Sequence, residues 1–381
     1  MAFELTTEQL AMQKMARDYA EKEVIPISAE YDEKEEMPVD LVRRMIAEGF
    51  SSISIPEKYG GAGMDDLTLC LVFEELGRGC AGIATGVGAN SLAALPIMLA
   101  GSEEQKKKYL TDICSGKLAS FCLTEPDAGS DVSSISTSAI KDGSEYIING
   151  SKCFITNGTY ADYYVVFALV DPKRGARTLT PFIVEKGAKG LDASKKERKM
   201  GIRASNTAAI VFENVRIPEE NMLGKENGGF RVAMQTFDIS RPMIGALAVG
   251  LARAAYEAAA SYARERVQFG KPIIQQQAIQ FMLADMAMEI EAARSLYMRV
   301  SAMIGKEEGR LTSYSAMVKA YAGDLAMRVT VDALQVLGGY GYTREYPLEK
   351  YMRDAKIMQI YEGTNQIQRL IIANGIVSGK I

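Results

Sequence analysis

The first part of the chain places apolar residues at the spacing of amphipathic helices. Met12, Met15 and Tyr19 are three or four residues apart, so they fall on one face of a helix. Thr6 and Gln9 have the spacing of a capping box, in which each side chain bonds the backbone of the other residue. Further helical signals complete a helical domain predicted over residues 1–118: a second capping box at Ser102 and Gln105, and periodic segments at residues 41–47 and 65–76.

The pattern changes in residues 119–228, where β-branched and aromatic residues come in short runs. Turn dipeptides such as Asp142-Gly143 and Asn149-Gly150 lie between or beside these runs. The segment therefore predicts a middle β domain, a small barrel or sandwich. Its clearest predicted strands are residues 146–148, 163–170, 181–184 and 209–212.

Helical periodicity returns in residues 229–381 and predicts a C-terminal four-helix bundle. The order of helices, strands and helices gives an α+β multidomain fold and argues against a doubly wound sheet. A chain of 381 residues is also too long for one ordinary core. The four predicted helices cover residues 230–264, 277–305, 312–337 and 348–375.

Composition narrows the classes of partner. Hydrophobic residues make up 48% of the chain and charged residues 24%, which is a typical balance for a globular protein. A net charge of -4 gives no reason to expect nucleic acid or an anionic membrane surface as partner. We expect no apolar run to approach membrane-spanning length. The five cysteines contain no CxxC pair, and the N-terminus shows no targeting pattern. These features predict a cytoplasmic protein that does not insert into membranes.

The chain contains no histidine, which shifts acid–base chemistry to other side chains. It also makes a zinc or transition-metal site very unfavourable, since the cysteines are not clustered. Glu362 is an isolated acid among apolar and amide residues, and Gly363 beside it allows close approach of backbone or ligand. Partial desolvation should raise the pKa of such a carboxyl, which suits a base that removes a proton from carbon.

Two segments of the middle domain combine small and polar residues in loops. Residues 121–131 and 149–158 expose backbone N–H groups and hydroxyls, so they could approach a flat cofactor or a phosphate. Taken alone, each segment is equally typical of an ordinary turn, and Phe154 is more typical of a core residue.

Together with later motifs, these segments give the chain a close resemblance to the acyl-CoA dehydrogenase family over essentially its whole length. The family implies an α–β–α subunit, bound FAD and usually a homotetramer. The resemblance is carried by five groups of motifs in the expected order: Leu123-Thr124-Glu125-Pro126 with Ala128-Gly129-Ser130-Asp131; Lys152 with Phe154-Ile155-Thr156-Asn157-Gly158; Arg266-Val267-Gln268-Phe269-Gly270; Gln335-Val336-Leu337-Gly338-Gly339-Tyr340-Gly341; and Met352-Arg353-Asp354-Ala355-Lys356 with Tyr361-Glu362-Gly363-Thr364.

The resemblance implies α,β-dehydrogenation of an acyl-CoA thioester to the 2-enoyl-CoA. Glu362 would abstract the α-proton, and the β-hydride would go to N5 of FAD. The backbone N–H of Glu362 and the flavin ribityl 2′-hydroxyl would bind the thioester carbonyl. Electrons would then pass to an electron-transferring flavoprotein. A solvated glutamate at a helix end is the alternative interpretation of Glu362.

One subgroup of the family carries its base on an earlier helix, near the position of Arg241. No Asp or Glu occurs in this chain between Asp238 and Glu257, which favours Glu362 as the base.

The resemblance also implies which residues contact FAD. Leu123, Thr124 and Ser130 would lie on the isoalloxazine and pyrophosphate side. Phe154 would pack against the ring, where many relatives carry Trp, and Thr156 would lie near N5. Residues implied to reach the FAD of a neighbouring subunit are Arg266, Gln268, Phe269, Gln335 and Gly339, while Thr364 and Gln366 would hold the adenine–ribose end. Alternatively, Arg266 forms a surface ion pair and residues 338–339 form a plain interhelical turn.

Substrate contacts are implied for Ser130, Asp238, Arg241, Tyr361, Gly363 and Gly88. An ion pair between Asp238 and Arg241, three residues apart on one helix face, is an equally good interpretation of those two residues.

The acyl group is less clearly indicated. Residues 85–92 match positions that line the acyl end in the family and contain no Lys or Arg, which disfavours a dicarboxylic substrate. Gly86, Gly88 and Ala89 suggest room for a medium-chain, branched or cyclic acyl group. Two other functions stay open: an acyl-CoA oxidase that uses O₂, and a non-catalytic family member that acts as a scaffold.

Overall fold

The helical N-terminal region of the computed structural model follows the predicted pattern. The structure describes residues 4–306 and 308–381. Both capping boxes form: the side chains of Thr6 and Gln9 bond each other's backbone N–H, and Ser102 and Gln105 do the same. The helices are α1 (Thr7–Tyr19), α2 (Ile25–Lys34), α3 (Val39–Ala47), α4 (Asp66–Gly79), α5 (Ala81–Ala100), α6 (Glu103–Gln105) and α7 (Thr111–Cys114), with π-helical turns at Ala20–Val24 and Lys106–Leu110.

The hydrophobic pattern of the sequence does not predict helix α5. It is apolar on nearly every side and almost entirely buried, so it has no polar face to alternate with an apolar one. Pro96 lies inside it, and its several glycines lower its helix propensity further. Burial between other elements, which the local sequence does not show, stabilises this helix.

The middle region forms a curled seven-stranded sheet. Its strand order is β1-β4-β2-β3-β7-β6, with β5 paired to β4. The β1–β4 pair and the single β2–β4 contact are parallel, and the other pairs are antiparallel. The strands are β1 (Ala119–Cys122), β2 (Ser138–Asp142), β3 (Glu145–Thr156), β4 (Tyr163–Leu169), β5 (Leu179–Glu185), β6 (Leu191–Asp192) and β7 (Thr207–Pro218).

The C-terminal region is helical, so the expected α–β–α order is confirmed. Its long helices are α8 (Gly229–Glu265), α9 (Gln277–Ser301) and α10 (Glu308–Leu337), and a short hairpin of β8 (Val267–Gln268) and β9 (Lys271–Pro272) follows α8. The continuous fourth helix predicted over residues 348–375 is wrong. The structure divides it into α11 (Leu348–Ala355), a 3₁₀ turn (Lys356–Gln359), a non-helical turn and α12 (Asn365–Val377).

The helices from both ends of the chain share one hydrophobic core. The α4 and α8 backbones approach so closely that a Cβ on Gly250 would lie 2.0 Å from the Glu74 carbonyl oxygen. A Cβ on Gly77 would lie 2.5 Å from the Leu247 carbonyl oxygen. Glycine at both positions therefore permits the contact between the N- and C-terminal helical regions.

Buried charges join the same two helical regions. Glu74 and Glu75 of α4 are fully buried and accept hydrogen bonds from Arg253 of α8. Arg294 of α9 also pairs with Glu74, and Arg17 of α1 pairs with Glu75. Breaking one partner of such a buried network leaves an uncompensated charge, so the network fixes how α1, α4, α8 and α9 pack.

The prediction that no apolar run approaches membrane-spanning length is wrong. Helices α5 and α8 are both long and apolar enough to cross a membrane. Their most apolar windows are 78% and 83% buried within the protein, however. The core position of these helices accounts for their apolar character.

The close contact of α4 and α8 predicts that Gly250→Ala destabilises the protein. The added methyl group meets backbone at 2.0 Å, which cannot move aside as a flexible side chain would. We expect a loss of roughly 1–3 kcal/mol, the range for overpacking of a core, and a lower melting temperature. Gly309→Ala in α10 is the matched control, because nothing lies within 4 Å of the added Cβ. Equal melting temperatures for the two variants would contradict the prediction.

Candidate active site

The turn between α11 and α12 holds Glu362 in an uncommon backbone conformation. Glu362 has φ 52° and Gly363 has φ 92°, so two consecutive residues adopt left-handed conformations. Such a conformation is strained for glutamate and persists only when its surroundings enforce it. The amide of Gln368 donates to the carbonyl oxygens of Glu362 (3.2 Å) and Gly363 (2.9 Å), and Lys319 Nζ donates to that of Gly363 (2.7 Å).

The Glu362 carboxylate is half-buried and bonded on one oxygen. Ser240 Oγ on α8 donates to Glu362 Oε2 at 2.6 Å. Burial raises the pKa of Glu362, while the Ser240 hydrogen bond and the charges of Arg241 and Lys319 act in the opposite direction. The direction agrees with the expectation from the sequence.

Arg241 lies behind the same turn. It is 4% exposed, donates from Nε to the Glu362 carbonyl oxygen at 3.4 Å, and lies over the Phe237 ring at 5.4 Å. Its Nη1 pairs with Asp238 Oδ1 at 3.4 Å, so the ion pair considered from the sequence is present. Asp238 Oδ2 also accepts a hydrogen bond from Thr312.

Contacts through α5 connect the turn that carries Glu362 and Gly363 (the base turn) to the middle domain. The Tyr361 hydroxyl donates to Met358 Sδ at 3.1 Å, and burial raises the pKa of Tyr361, an effect that the nearby Thr85 hydroxyl of α5 partly offsets. One residue further along α5, the Gly86 carbonyl oxygen accepts a hydrogen bond from Asn157 Nδ2 at 2.8 Å. Because Asn157 directly follows β3, α5 contacts the end of the strand that carries Thr156.

A buried ion pair shapes the loop after β1. Lys152 Nζ donates to Glu125 Oε1 at 2.7 Å and to the Leu123 carbonyl oxygen at 3.0 Å, with both side chains at most 3% exposed. Glu125 also accepts bonds from the backbone of Ser136 and Thr137. Although burial works against it, the charge and hydrogen bond of Lys152 lower the pKa of Glu125. The pair fixes the loop that carries Leu123, which is buried, and Thr124 and Ser130, which are not.

Phe154 lies on the surface and not in the core. A bulge separates Lys152 from Ile155 in the β3–β7 pairing, and Phe154 within it has φ 58°. Bulges redirect side chains, and here the Phe154 ring is 67% exposed. An exposed aromatic face next to Thr156 can lie against a flat ring system.

A second surface lies at the ends of α8 and α10. A groove of about 660 Å³ is lined by five residues predicted to reach a neighbouring subunit's FAD: Arg266, Gln268, Phe269, Gln335 and Gly339. Phe269 is 94% exposed, and no atom would touch a Cβ on Gly338 or Gly339 within 4 Å. Arg266 lies over the Tyr340 ring and pairs with no carboxylate among residues 4–306 and 309–381.

Two of the remaining predicted residues, Thr364 and Gly88, have structural roles, and Gln366 has none among the contacts of residues 4–306 and 309–381. Thr364 caps α12 by accepting a hydrogen bond from the Ile367 N–H at 3.3 Å, and Gln366 is exposed. A Cβ on Gly88 would lie 3.0 Å from Phe73 Cε1 and 3.3 Å from Met243 Cε. The space beside Gly88 is therefore filled by side chains.

Sequence reasoning missed three residues that hold Glu362 and its turn: Ser240, Lys319 and Gln368. Lys319 had a visible signal, since it lies on a face of α10 otherwise formed by small residues such as Ala316, Gly323 and Ala326. Ser240 lies inside the segment inspected for an alternative acid, and Gln368 carries no local signal.

Known protein families match all three regions of the chain. Sequence models described as the acyl-CoA dehydrogenase N-terminal, middle and C-terminal domains match residues 6–117, 120–215 and 227–377. The chain belongs to the acyl-CoA dehydrogenase family. An acyl-CoA dehydrogenase of Bacillus subtilis is 45% identical over an alignment of 388 positions, which covers 98% of this chain and 99% of the relative.

Solved structures of the family superpose closely on this chain. Butyryl-CoA dehydrogenase of Megasphaera elsdenii is 44% identical, with a TM-score of 0.96 over 99% of this chain and 100% of its own. A chain in a structure described as the electron transferring flavoprotein of Acidaminococcus fermentans is 46% identical, with the same TM-score and coverage.

Acyl-CoA dehydrogenases bind FAD, and the residues of this chain fit that cofactor. The exposed Phe154 ring and the polar loop that carries Thr124 are linked, since the Cys153 N–H donates to the Thr124 carbonyl oxygen, and together they offer a flat, hydrogen-bonding surface. The groove at the ends of α8 and α10, called the Arg266 groove, offers an arginine, an exposed aromatic ring and a glycine turn, which suit a nucleotide. On a single subunit these are two surfaces, as expected if one FAD is shared by two chains.

The Lys152–Glu125 pair predicts that Lys152→Met destabilises the protein and loosens FAD. The substitution leaves a buried, unpaired carboxylate, which typically costs about 3–5 kcal/mol. Lys141→Met is the control, because Lys141 pairs with Glu219 at an exposed site worth about 0–1 kcal/mol. Denaturation midpoints and flavin absorbance after gel filtration measure both effects. Retention of wild-type FAD content by Lys152→Met would contradict a role for the pair in shaping the flavin loop.

Proposed function

We propose that this acyl-CoA dehydrogenase removes the α-proton of an acyl-CoA thioester with Glu362 and forms the 2-enoyl-CoA. The main observation is the interrupted helix, which places a half-buried carboxyl with a raised pKa in a strained turn. A carboxyl with such a pKa is matched to proton transfer, and strained backbone is common at catalytic positions.

The same turn supplies a hydrogen-bond donor. No acceptor within residues 4–306 and 308–381 pairs with the Glu362 N–H, since the turn lies outside both helices. A free N–H beside the base can stabilise the oxyanion that develops on the thioester carbonyl as the proton leaves. When bound, FAD supplies the acceptor for the β-hydride at flavin N5.

Burial and nearby charges favour different protonation states of Glu362, and the proposed reaction uses both. Arg241 and Lys319 favour ionised Glu362 before substrate binds, whereas burial favours the neutral acid that follows proton transfer. The rate of flavin reduction should therefore fall as pH decreases through the raised pKa of Glu362, because protonation removes the base.

We propose an electron-transferring flavoprotein as the electron acceptor. A similar chain occurs in the structure described as such a flavoprotein from Acidaminococcus fermentans, which supports the partnership. The oxidase alternative would pass the electrons to O₂ instead.

The size of the acyl group depends on the side chains around Gly88. Phe73 and Met243 fill the space that the sequence suggested was free for a medium-chain, branched or cyclic group. These side chains favour a short acyl chain, in line with the likeness to butyryl-CoA dehydrogenase. Larger acyl groups would require Phe73 or Met243 to move.

We also propose a cytoplasmic homotetramer. Apolar side chains project from the outer faces of α9, α10 and α12, and Phe269 is almost fully exposed in the single chain. Association of subunits would cover these side chains and complete each Arg266 groove with the flavin surface of a neighbour. The exposed apolar residues include Phe281, Met288, Val331 and Leu370.

Glu362→Gln should retain FAD but lose reduction of the flavin by acyl-CoA. Removing a well-placed general base typically lowers the rate about 10²–10⁴-fold. Anaerobic stopped-flow absorbance of the flavin measures the rate, and Glu345→Gln, at an exposed glutamate, is the control. Reduction of Glu362→Gln at near the wild-type rate would refute the assignment.

The same experiment separates the alternatives. The dehydrogenase bleaches its flavin and turns over with an electron-transferring flavoprotein or a dye. Rapid O₂ consumption by the reduced wild-type protein would identify an oxidase, and absence of bleaching with every acyl-CoA would indicate a scaffold.

Met243→Ala should widen the range of acyl chains. Removing the side chain beside Gly88 opens space, so the ratio of kcat/KM for octanoyl-CoA to that for butyryl-CoA should rise about tenfold or more, since each buried methylene contributes roughly 0.8 kcal/mol. Met286→Ala in α9 is the control, because Met243 and Met286 are each 2% exposed. An unchanged ratio in Met243→Ala would place the end of the acyl pocket elsewhere.

A further inference from the structure

Lys319 is a buried lysine in an unusual setting. It lies on α10 and is 1% exposed, although lysine is almost never fully buried without a charged partner. Its Nζ donates to the Gly363 carbonyl oxygen at 2.7 Å and to Asn365 Oδ1 at 3.0 Å. Both acceptors are neutral, and among residues 4–306 and 309–381 no carboxylate forms an ion pair with it. The lysine thus bonds Gly363, which directly follows Glu362, and Asn365 at the start of α12.

The charges around Lys319 come from three elements. Burial lowers the pKa of Lys319 to about 7; the charges of Glu362 and Asp324 act against this change, and that of Arg241 adds to it. Asp324 is itself engaged by Gln359, Asn365 and Arg369. Glu362 is therefore the nearby carboxylate that lacks an ion pair of its own.

The two hydrogen bonds of Lys319 do not require its charge. An ammonium group has three N–H donors, and a neutral amine retains two. The bonds to Gly363 and Asn365 can therefore both persist when the lysine loses its proton. Lys319 can therefore affect Glu362 in two separate ways: its hydrogen bonds hold the turn, and its charge changes the electric field at the carboxylate.

Gln368 provides an internal comparison. It is fully buried and donates to the carbonyl oxygens of Glu362 and Gly363, so it holds the same turn. Its amide carries no net charge. A residue that only positions the turn should behave like Gln368, whereas a residue that also tunes the base should differ from it.

We propose that Lys319 is a positioning residue that holds the base turn through its hydrogen bonds to Gly363 and to Asn365 at the start of α12, and that its positive charge favours ionised Glu362. The inference rests on the proposed role of Glu362 as the base. An opposite charge nearby stabilises the carboxylate and so lowers its pKa. Removal of the Lys319 charge should raise the pKa of Glu362 and move the acidic limb of the pH–rate profile to higher pH.

The test compares Lys319→Gln, Lys319→Met and Lys319→Arg with Gln368→Met. The rate of anaerobic flavin reduction by butyryl-CoA is measured across pH with the FAD-loaded protein. We expect the acidic limb to move up by about one pH unit in Lys319→Gln and Lys319→Met, which is a typical effect of one nearby charge. In Lys319→Arg and Gln368→Met the limb should stay in place, even where the rate itself falls.

A second measurement follows the proton directly. Difference infrared titration detects the protonated carboxyl of Glu362, assigned by loss of its band in Glu362→Gln. This band should persist to higher pH in Lys319→Gln than in the wild type or in Gln368→Met. Because the titration needs no turnover, it distinguishes a changed pKa from a damaged site.

FAD content and melting temperature identify any variant that fails to fold. If Lys319→Met is unstable, Lys319→Gln, which keeps an amide donor, still tests the charge. An unmoved limb and infrared band in folded Lys319→Gln would overturn the proposal, as would an equal shift in Lys319→Arg. A wild-type protein that is not bleached by acyl-CoA would refute the proposed function itself, which is a separate outcome.

Discussion

The interruption of the last helix at Glu362 and Gly363 is the constraint on which the site depends. In a continuous helix the Glu362 N–H would bond within the helix, and its carboxylate would point along a fixed helical direction. The left-handed pair frees the N–H and turns the carboxylate towards Ser240. In the proposed mechanism, base and oxyanion donor therefore come from one residue, which limits how far apart they can lie.

Holding such a turn requires neighbours that do not move. Lys319 and Gln368 bond its carbonyl oxygens, and Ser240 bonds its carboxylate. Lys319 and Ser240 lie on α10 and α8, which belong to the core shared by both ends of the chain, and Gln368 lies on α12. The close contact at Gly250 and the buried charges at Glu74 and Glu75 fix α8 against α4. Packing far from the reacting atoms therefore determines where the base lies.

The sequence predicted the features that depend on local pattern. The helical and β regions and both capping boxes follow from periodicity and spacing, and Glu362 stood out because the chain has no histidine. The break at residues 360–364 was missed, since a lone glycine does not end a helix and the bonds that stabilise the break come from residues far along the chain. The filled space beside Gly88 was missed for a similar reason: Met243, which fills it, is 155 positions away. Family motifs pointed to the residues, but tertiary contacts determine what each one touches.

The absence of histidine is compatible with this chemistry because environment sets the behaviour of the carboxylate. A glutamate in water is too weak a base for carbon acids, and a fully buried glutamate would stay protonated. Glu362 lies between these limits: burial favours its neutral form, while one hydroxyl and two cationic side chains favour its ionised form. Since these contributions oppose each other, a change in either one moves the pKa. A directly paired cation would hold the carboxylate ionised and weaken it as a base. The structure instead directs Arg241 and Lys319 at backbone carbonyl oxygens, where their charge reaches Glu362 without an ion pair.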